Sequence, residues 1–148
     1  MDRQIVKEQL EKINSTINKI ESIYGEMGKK YGLNYNALMV LYSIDGIERC
    51  TQKQIADMWH LPKSTVHSIF RDFEKKGYVI IEPDDKNKKE KIIVFTEEGK
   101  EYKDRVLSEI KEIEYAVIEA IGEDVTNQLL SSNEAFYKAL KNEVDKNE

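Results

Sequence analysis

TQKQIADMWHLPKSTVHSIFRDFEKKGYVI, residues Thr51–Ile80, is the stretch that decides the fold of this chain. Thr51 suits the start of a helix, because its hydroxyl can accept hydrogen bonds from the unpaired amides of the first turn. Pro62 favours the start of a second helix, where its missing amide is not needed, and Gly77 is a typical helix stop. The stretch therefore predicts two helices joined by a short turn.

The residues around the turn predict how these two helices meet. The first helix should bury Ile55, Ala56 and Trp59, and Ala56 is small enough to let the second helix cross closely. His60 occupies the turn, where histidine tolerates a left-handed backbone better than most residues do. This arrangement is typical of a helix-turn-helix.

The second helix has one apolar face and one polar face. Val66, Ile69, Phe70 and Phe73 share the apolar face. Short hydroxyls on the other face would allow close approach to bases and phosphates, and an arginine can pair bidentately with guanine. We therefore expect this helix to contact DNA; for Thr65, packing against the core is the alternative. The predicted contacts are Lys63, Ser64, Thr65, His67, Ser68 and Arg71.

A β-hairpin is predicted directly after the second helix. Tyr78–Ile81 and Lys91–Phe95 are rich in β-branched and aromatic residues, and a polar turn separates them. A hairpin with a basic tip in this position is a wing, placed to touch phosphates or a minor groove. Lys88 and Lys89 at the tip are therefore predicted DNA contacts, with a solvated turn as the alternative.

Long amphipathic helices are predicted at both ends of the chain. The first has apolar residues at steps of four and three, and the last is interrupted at Gly122, after which Asp124 can cap a further helix. Such long helices suggest a second packing surface, which we interpret as a dimer interface; an internal helical bundle is the alternative. The apolar residues of the first helix are Val6, Leu10, Ile13, Ile17, Ile20 and Tyr24.

The charge distribution permits nucleic-acid binding. The 148 residues carry a net charge of −5, but residues 1–49 and 50–99 are each neutral and the whole excess lies in residues 100–148. Lys86–Lys91 forms a local patch of +3 at the predicted wing tip. Since affinity for phosphate depends on the local field, the acidic total does not exclude DNA.

Composition predicts a cytoplasmic chain without a metal site or a cofactor. No apolar run approaches the roughly 20 residues of a membrane span, and the N-terminus does not resemble a signal peptide. Cys50 is the only cysteine, and a small core residue is a better interpretation of it than a redox sensor. His60 and His67 lack metal-ligand spacing with Cys50 or with each other.

The order and spacing of these features resemble the MarR family of winged helix-turn-helix transcription regulators. The resemblance covers most of the chain, and no single motif is specific by itself. The motifs are Tyr31–Asn34, Gln54–Ala56, Leu61–Val66, Glu74–Val79 and Thr96–Gly99.

This resemblance implies a mainly α fold with a small β-hairpin wing and long terminal dimerisation helices. We expect one domain over 1–148, with dimerisation helices in 1–30 and 100–148 and a DNA-binding region in 34–99. It implies a homodimeric regulator, with repression the favoured role, that binds a pseudo-palindromic operator. The family wing usually carries an Asp-x-Arg pattern; Asn87 and Lys89 replace it here, so we expect the wing to contribute phosphate affinity more than sequence preference.

Many family members release DNA when a small molecule binds between the dimerisation and DNA-binding parts. Residues near the junction of the first two helices could line such a pocket here, although core packing is the commoner use of these residue types. An enzyme is disfavoured, since the chain has no phosphate loop, nucleophile elbow or zinc signature. A winged-helix scaffold that acts through proteins alone, without sequence-specific DNA binding, is the other functional alternative. The candidate effector residues are Tyr24, Tyr31, Tyr35, Met39 and Tyr42.

Overall fold

The computed structural model describes residues 1–47 and 49–148, and it confirms a mainly α fold with a small β-sheet. The chain divides into two compact units, residues 1–108 and residues 109–148, and the last helix contributes to both. The elements are α1 (Arg3–Lys29), α2 (Tyr35–Ser43), β1 (Arg49–Thr51), α3 (Gln52–Trp59), α4 (Lys63–Lys75), β2 (Val79–Pro83), β3 (Lys91–Phe95) and α5 (Glu97–Asp145).

The core of the first unit is built on α2, which buries the continuous apolar run Ala37–Leu41. Asn34 caps this helix by accepting a hydrogen bond from the amide of Ala37 at 2.8 Å. The buried side of α4 packs into the same core, and the rings of Phe70 and Phe73 meet edge to face with centroids 6.0 Å apart. The fully buried side chains of α2, α3 and α4 include Leu38, Val40, Leu41, Ile55, Val66 and Phe70.

The sheet is antiparallel with strand order β1-β3-β2, so the predicted wing hairpin pairs with one additional strand. β1 has only three residues, which is too short to show a pattern in the sequence. The prediction that a strand begins at Tyr78 was wrong by one residue. The Tyr78 amide donates to the carbonyl of Phe73, and Gly77 has a φ of 80°; these features form the left-handed helix end of α4.

The helix-turn-helix prediction is confirmed in its backbone, with one change in the core. Thr51 and Gln54 form a reciprocal capping box at the start of α3, and His60 takes the left-handed conformation at φ 49° and ψ 38°. Trp59 is half-buried rather than buried, because it is the last residue of α3 and no further turn covers it. Gln52 in the first turn is buried instead.

A buried lysine joins the start of α5 to the end of α2. The Lys103 ammonium donates to the carbonyl oxygens of Ile44 at 3.3 Å and Ile47 at 3.1 Å, and lies 4.8 Å from the centre of the Phe95 ring. Ile44 is the C-cap of α2, where a positive charge is favourable, and Ile47 lies in the turn that follows. Lys103 therefore connects the start of α5 to the end of α2 and to the turn directly after it.

A tyrosine stack fixes the loop between α1 and α2. The Tyr102 hydroxyl donates to the carbonyl oxygen of Tyr31 at 2.9 Å, and its ring stacks on Tyr78 at 4.2 Å between centroids. Burial raises the pKa of Tyr102 to about 12, so the hydroxyl remains a donor at any physiological pH. The loop at Tyr31 is thus held against the end of α4.

Each unit exposes an apolar helix face. In the first unit, Ile13, Ile17 and Ile20 of α1 are each more than two-fifths exposed. In the second unit, Gly122 interrupts α5 with a φ of 80°, as predicted, and apolar residues on both sides of it are exposed. No helix in the described part of the chain has the length and hydropathy of a membrane span. Among the large apolar residues of the second unit, those with exposed fractions of 50% or more are Tyr115, Val117, Leu129, Leu130, Tyr137 and Leu140.

Candidate nucleic-acid interface

α4 presents the predicted polar face to solvent along its whole length. The helix begins at Lys63 after Pro62, and no side chain caps its first amides, so Ser64 is not used as a cap. Thr65 is half-buried between the two faces. The exposed predicted contacts are Lys63, Ser64, His67, Ser68 and Arg71.

Arg71 is held by its own helix in the free chain. One of its guanidinium nitrogens, Nη1, donates to Oε2 of Glu74 at 3.0 Å, and the Arg71 side chain is 56% exposed. Arginine carries five N–H groups in a rigid fork, and among the described hydrogen bonds only Nη1 of Arg71 is used, so other donors remain for a second acceptor. Glu74 was not among the predicted site residues, although its spacing of three residues from Arg71 is a recognisable signal.

His67 is held by the preceding helix. Its Nδ1 lies 3.2 Å from the amide nitrogen and 3.3 Å from the amide oxygen of Gln52, the first residue of α3. Gln52 is 9% exposed, whereas His67 is exposed. A buried carboxamide therefore contacts the inward-facing nitrogen of an exposed imidazole. Sequence reasoning missed Gln52, because nothing in the sequence joins residues 15 positions apart.

The wing tip is an ordered turn with exposed lysines. The Asp84 amide donates to the Glu90 carbonyl at 3.0 Å, which closes the loop above the last strand pair. The Asn87 side chain accepts a hydrogen bond from the Lys89 amide at 3.2 Å. Asn87 therefore shapes the turn through the backbone, and the side chains of Lys88 and Lys89 remain exposed.

Thr96 connects the wing to the end of α4. Its hydroxyl donates to the Gly77 carbonyl at 2.7 Å and accepts from the Gly99 amide at 3.0 Å, so it also caps α5. A Cβ atom at Gly99 would lie 1.8 Å from the carbonyl oxygen of Tyr78, and only glycine fits there. This junction sets the position of the hairpin with respect to α4.

The five candidate effector residues are brought to the same region, but they do not all line one cavity. A groove of about 630 Å³ runs between α1 and α2; Tyr35 lines it together with Glu21, Ser22 and Gly25. Burial and then Glu21 raise the pKa of the Tyr35 hydroxyl. Met39 is buried in the core, and the other members of the set, Tyr24, Tyr31 and Tyr42, are half-buried outside this groove.

Cys50 lies in the core and is poorly placed for thiol chemistry. It is 6% exposed, and burial raises its pKa to about 11 despite the opposing effect of Lys103. In residues 1–47 and 49–148, no group of three or more histidine, cysteine, aspartate or glutamate side chains is arranged to hold a metal ion.

Comparison with known proteins finds a similarity to one family in the central part of the chain. Residues 31–90 match the model of the MarR family. The HTH-type transcriptional regulator SarZ from Staphylococcus epidermidis is 32% identical over 89 residues, which are 60% of this chain and 60% of SarZ. The match thus spans about three-fifths of the length of this relative.

Solved structures extend the similarity to nearly the whole chain. NMB1585, a MarR family regulator from Neisseria meningitidis, is 25% identical with a TM-score of 0.80, covering 95% of this chain and 99% of that one. The structure of reduced AbfR bound to DNA has 19% identity and a TM-score of 0.72, covering 93% of this chain and 95% of AbfR. The latter likeness concerns the fold alone.

Proposed function

We propose that this chain, whose residues 31–90 match the model of the MarR family, is a DNA-binding transcription regulator that binds a pseudo-palindromic operator as a homodimer. The observation that carries the proposal is the composition of α4. One face of this helix is buried in the core, while the other exposes hydroxyls, an imidazole and basic groups to solvent. The names of SarZ and NMB1585, both regulators, support the same reading.

α4 acts as the recognition helix in the major groove. Ser64 and Ser68 are short enough to let the backbone approach base edges and phosphates, while His67 and Arg71 reach further. The guanidinium of Arg71 can pair bidentately with guanine through the nitrogens that Glu74 does not hold. Lys63 and the partly buried Thr65 meet the phosphate backbone near the helix start.

The wing contributes affinity more than sequence preference. Lys88 and Lys89 project from an ordered tip whose shape depends on Asn87. Lysine is a compact point charge, and it suits phosphate contact better than the planar recognition that arginine provides in a minor groove. The wing therefore holds the DNA while α4 reads it.

The homodimer is supported by the apolar faces of the terminal helices. Isoleucines of α1 and leucines of residues 109–148 are about half exposed in one chain, and exposed apolar area of this extent marks an interaction surface. A second copy of the chain would cover these faces. Dimerisation also supplies the two-fold symmetry that two recognition helices need to bind two operator half-sites.

Repression, released by a small-molecule effector, completes the proposal. The groove beside Tyr35 lies next to the loop that Tyr102 fixes against α4, so a ligand in the groove could shift the recognition helix. Of the five candidates, Tyr35 then contacts the ligand directly, because Tyr24, Tyr31, Met39 and Tyr42 do not line the groove. A DNA-bound regulator of this kind works in the cytoplasm.

The proposal is tested by titrating a fluorescent duplex of mixed sequence with the purified protein at several salt concentrations. We expect binding whose logarithmic affinity falls linearly with the logarithm of salt concentration, because phosphate contacts release counterions. Lys63→Ala should reduce the slope by about one unit, and Lys146→Ala, a lysine near the chain end, should not. No binding at low salt would favour the alternative, a winged-helix scaffold that contacts only proteins.

A further inference from the structure

Gln52 is the only buried side chain in contact with the ring of a predicted base-reading residue among the described hydrogen bonds. Its carboxamide meets Nδ1 of His67 with the oxygen and the nitrogen at nearly equal distances of 3.3 and 3.2 Å. The contact joins the first residue of α3 to the exposed face of α4. It fixes the inner nitrogen of the ring, so the other nitrogen, Nε2, is left for a partner outside the protein.

The chemistry of the two groups couples this contact to DNA recognition. If the Gln52 oxygen accepts from Nδ1–H, the neutral ring leaves Nε2 as an acceptor, which suits the amino groups of adenine and cytosine. If the Gln52 amide donates to Nδ1 instead, Nε2 carries the proton and can donate to guanine. A carboxamide serves both tautomers by rotating, whereas a carboxylate or an apolar side chain does not.

We propose that Gln52 is a positioning residue that supports base discrimination by His67, by orienting the imidazole and by pairing with Nδ1 in whichever tautomer the bound base requires. This inference rests on the proposed function. Gln52 itself, 9% exposed, need not touch DNA to act in this way. Its substitution should weaken the preference at one base pair per half-site while leaving the phosphate contacts in place.

The first experiment measures the nitrogen chemical shifts of the two histidine rings in the free protein. Gln52→Met removes both hydrogen-bonding groups, and Gln52→Glu leaves only acceptors, so Nδ1 of His67 should carry the proton in the second variant. His60, exposed in the turn, is the internal control and should not change. Identical His67 shifts in all three proteins would overturn the inference without any reference to DNA.

The second experiment measures affinity for a duplex selected by the wild-type protein and for duplexes with single base-pair changes. Gln52→Met should reduce discrimination at one base pair per half-site by about tenfold, the size of one base contact, with an unchanged salt slope. In a His67→Ala background the same substitution should have no further effect. An equal loss of discrimination in that background would show a merely structural role.

These outcomes separate the inference from the function on which it rests. If the wild-type protein binds no DNA, the proposed function fails, and the effect of Gln52 on base discrimination fails with it. The nitrogen chemical shifts of His67 would still report whether Gln52 contacts the ring. If the wild-type protein discriminates between duplexes and Gln52→Met discriminates equally well, the inference fails alone. Thermal unfolding of each variant confirms that the folded state is the one compared.

Discussion

Nη1 of Arg71 lies 3.0 Å from Oε2 of Glu74, one turn further along α4. The Arg71 side chain is more than half exposed, and such surface pairs contribute little to folding. The pair instead restricts the arginine to one region of the helix surface before DNA binds. Substitution of Arg71 therefore reports on recognition rather than on stability.

Arg71→Ala should cost about 1–3 kcal/mol in binding to a selected operator and relax the preference at one base pair per half-site. The reason is that alanine cannot form the bidentate contact between the Arg71 guanidinium and one guanine, and no other base pair depends on that contact. Competition between duplexes with single base-pair changes measures the effect. Glu74→Gln is the companion variant; it should raise affinity for all duplexes, because a negative charge near the phosphates is removed. Equal weakening of Arg71→Ala on every duplex would reduce Arg71 to a phosphate contact.

Lys89→Ala should weaken binding to all sequences to a similar extent and flatten the salt slope by about one unit. The exposed ammonium at the ordered wing tip contacts phosphate, so its removal eliminates one counterion-release event. Affinity measured at a series of salt concentrations gives the slope. If Lys89→Ala and Lys146→Ala share the wild-type slope, the wing plays no part in binding.

The wild-type protein should sediment at micromolar concentration as a species of twice 17.3 kDa. Leu129→Glu should raise the dimer dissociation constant at least roughly tenfold, since it would place an unpaired charge in an apolar interface. Met58→Glu is the matched control, because Met58 is 52% exposed and Leu129 is 50% exposed in the single chain. A monomeric wild-type protein, or equal effects of the two substitutions, would contradict the dimer.

Cys50 should be unreactive in the folded protein, and it should make stability fall at high pH. The thiol has a pKa of about 11 when folded and 9.0 when exposed, so the unfolded state loses its proton first as the pH rises. Between pH 9 and pH 11 the wild-type protein should therefore lose stability relative to Cys50→Ala, as measured by chemical denaturation. Fast modification of Cys50 by a thiol reagent at pH 7 would show that the residue is accessible after all.

The local signals of the chain predicted its backbone well. Thr51, Pro62 and Gly77 each act at a helix end through contacts with neighbours in sequence, and such contacts need no knowledge of the fold. The buried and exposed faces of α4 followed from helical periodicity in the same way. The resemblance to the MarR family, carried by the spacing of these signals, was confirmed.

The contacts that join distant segments could not be predicted. Lys103 is buried because the carbonyls of Ile44, at the end of α2, and of Ile47, in the following turn, accept from it, and Gln52 meets His67 only because α3 and α4 cross. Lysine and glutamine are rarely buried, so residue type alone would predict that both side chains are exposed. β1 is recognisable only from its pairing with β3. Trp59 is less buried than predicted because it is the last residue of a helix. The predicted DNA and effector contacts remain predictions.

Selection of bound duplexes from a random pool, at a stated salt concentration, tests the central claim most directly. Two copies of α4 related by a two-fold axis should enrich a pseudo-palindrome, with half-sites about 10 base pairs apart from centre to centre. A symmetric consensus with that spacing is the predicted result. Absence of any enriched sequence, from a protein that is folded and dimeric, would contradict the account of this chain as a sequence-specific regulator.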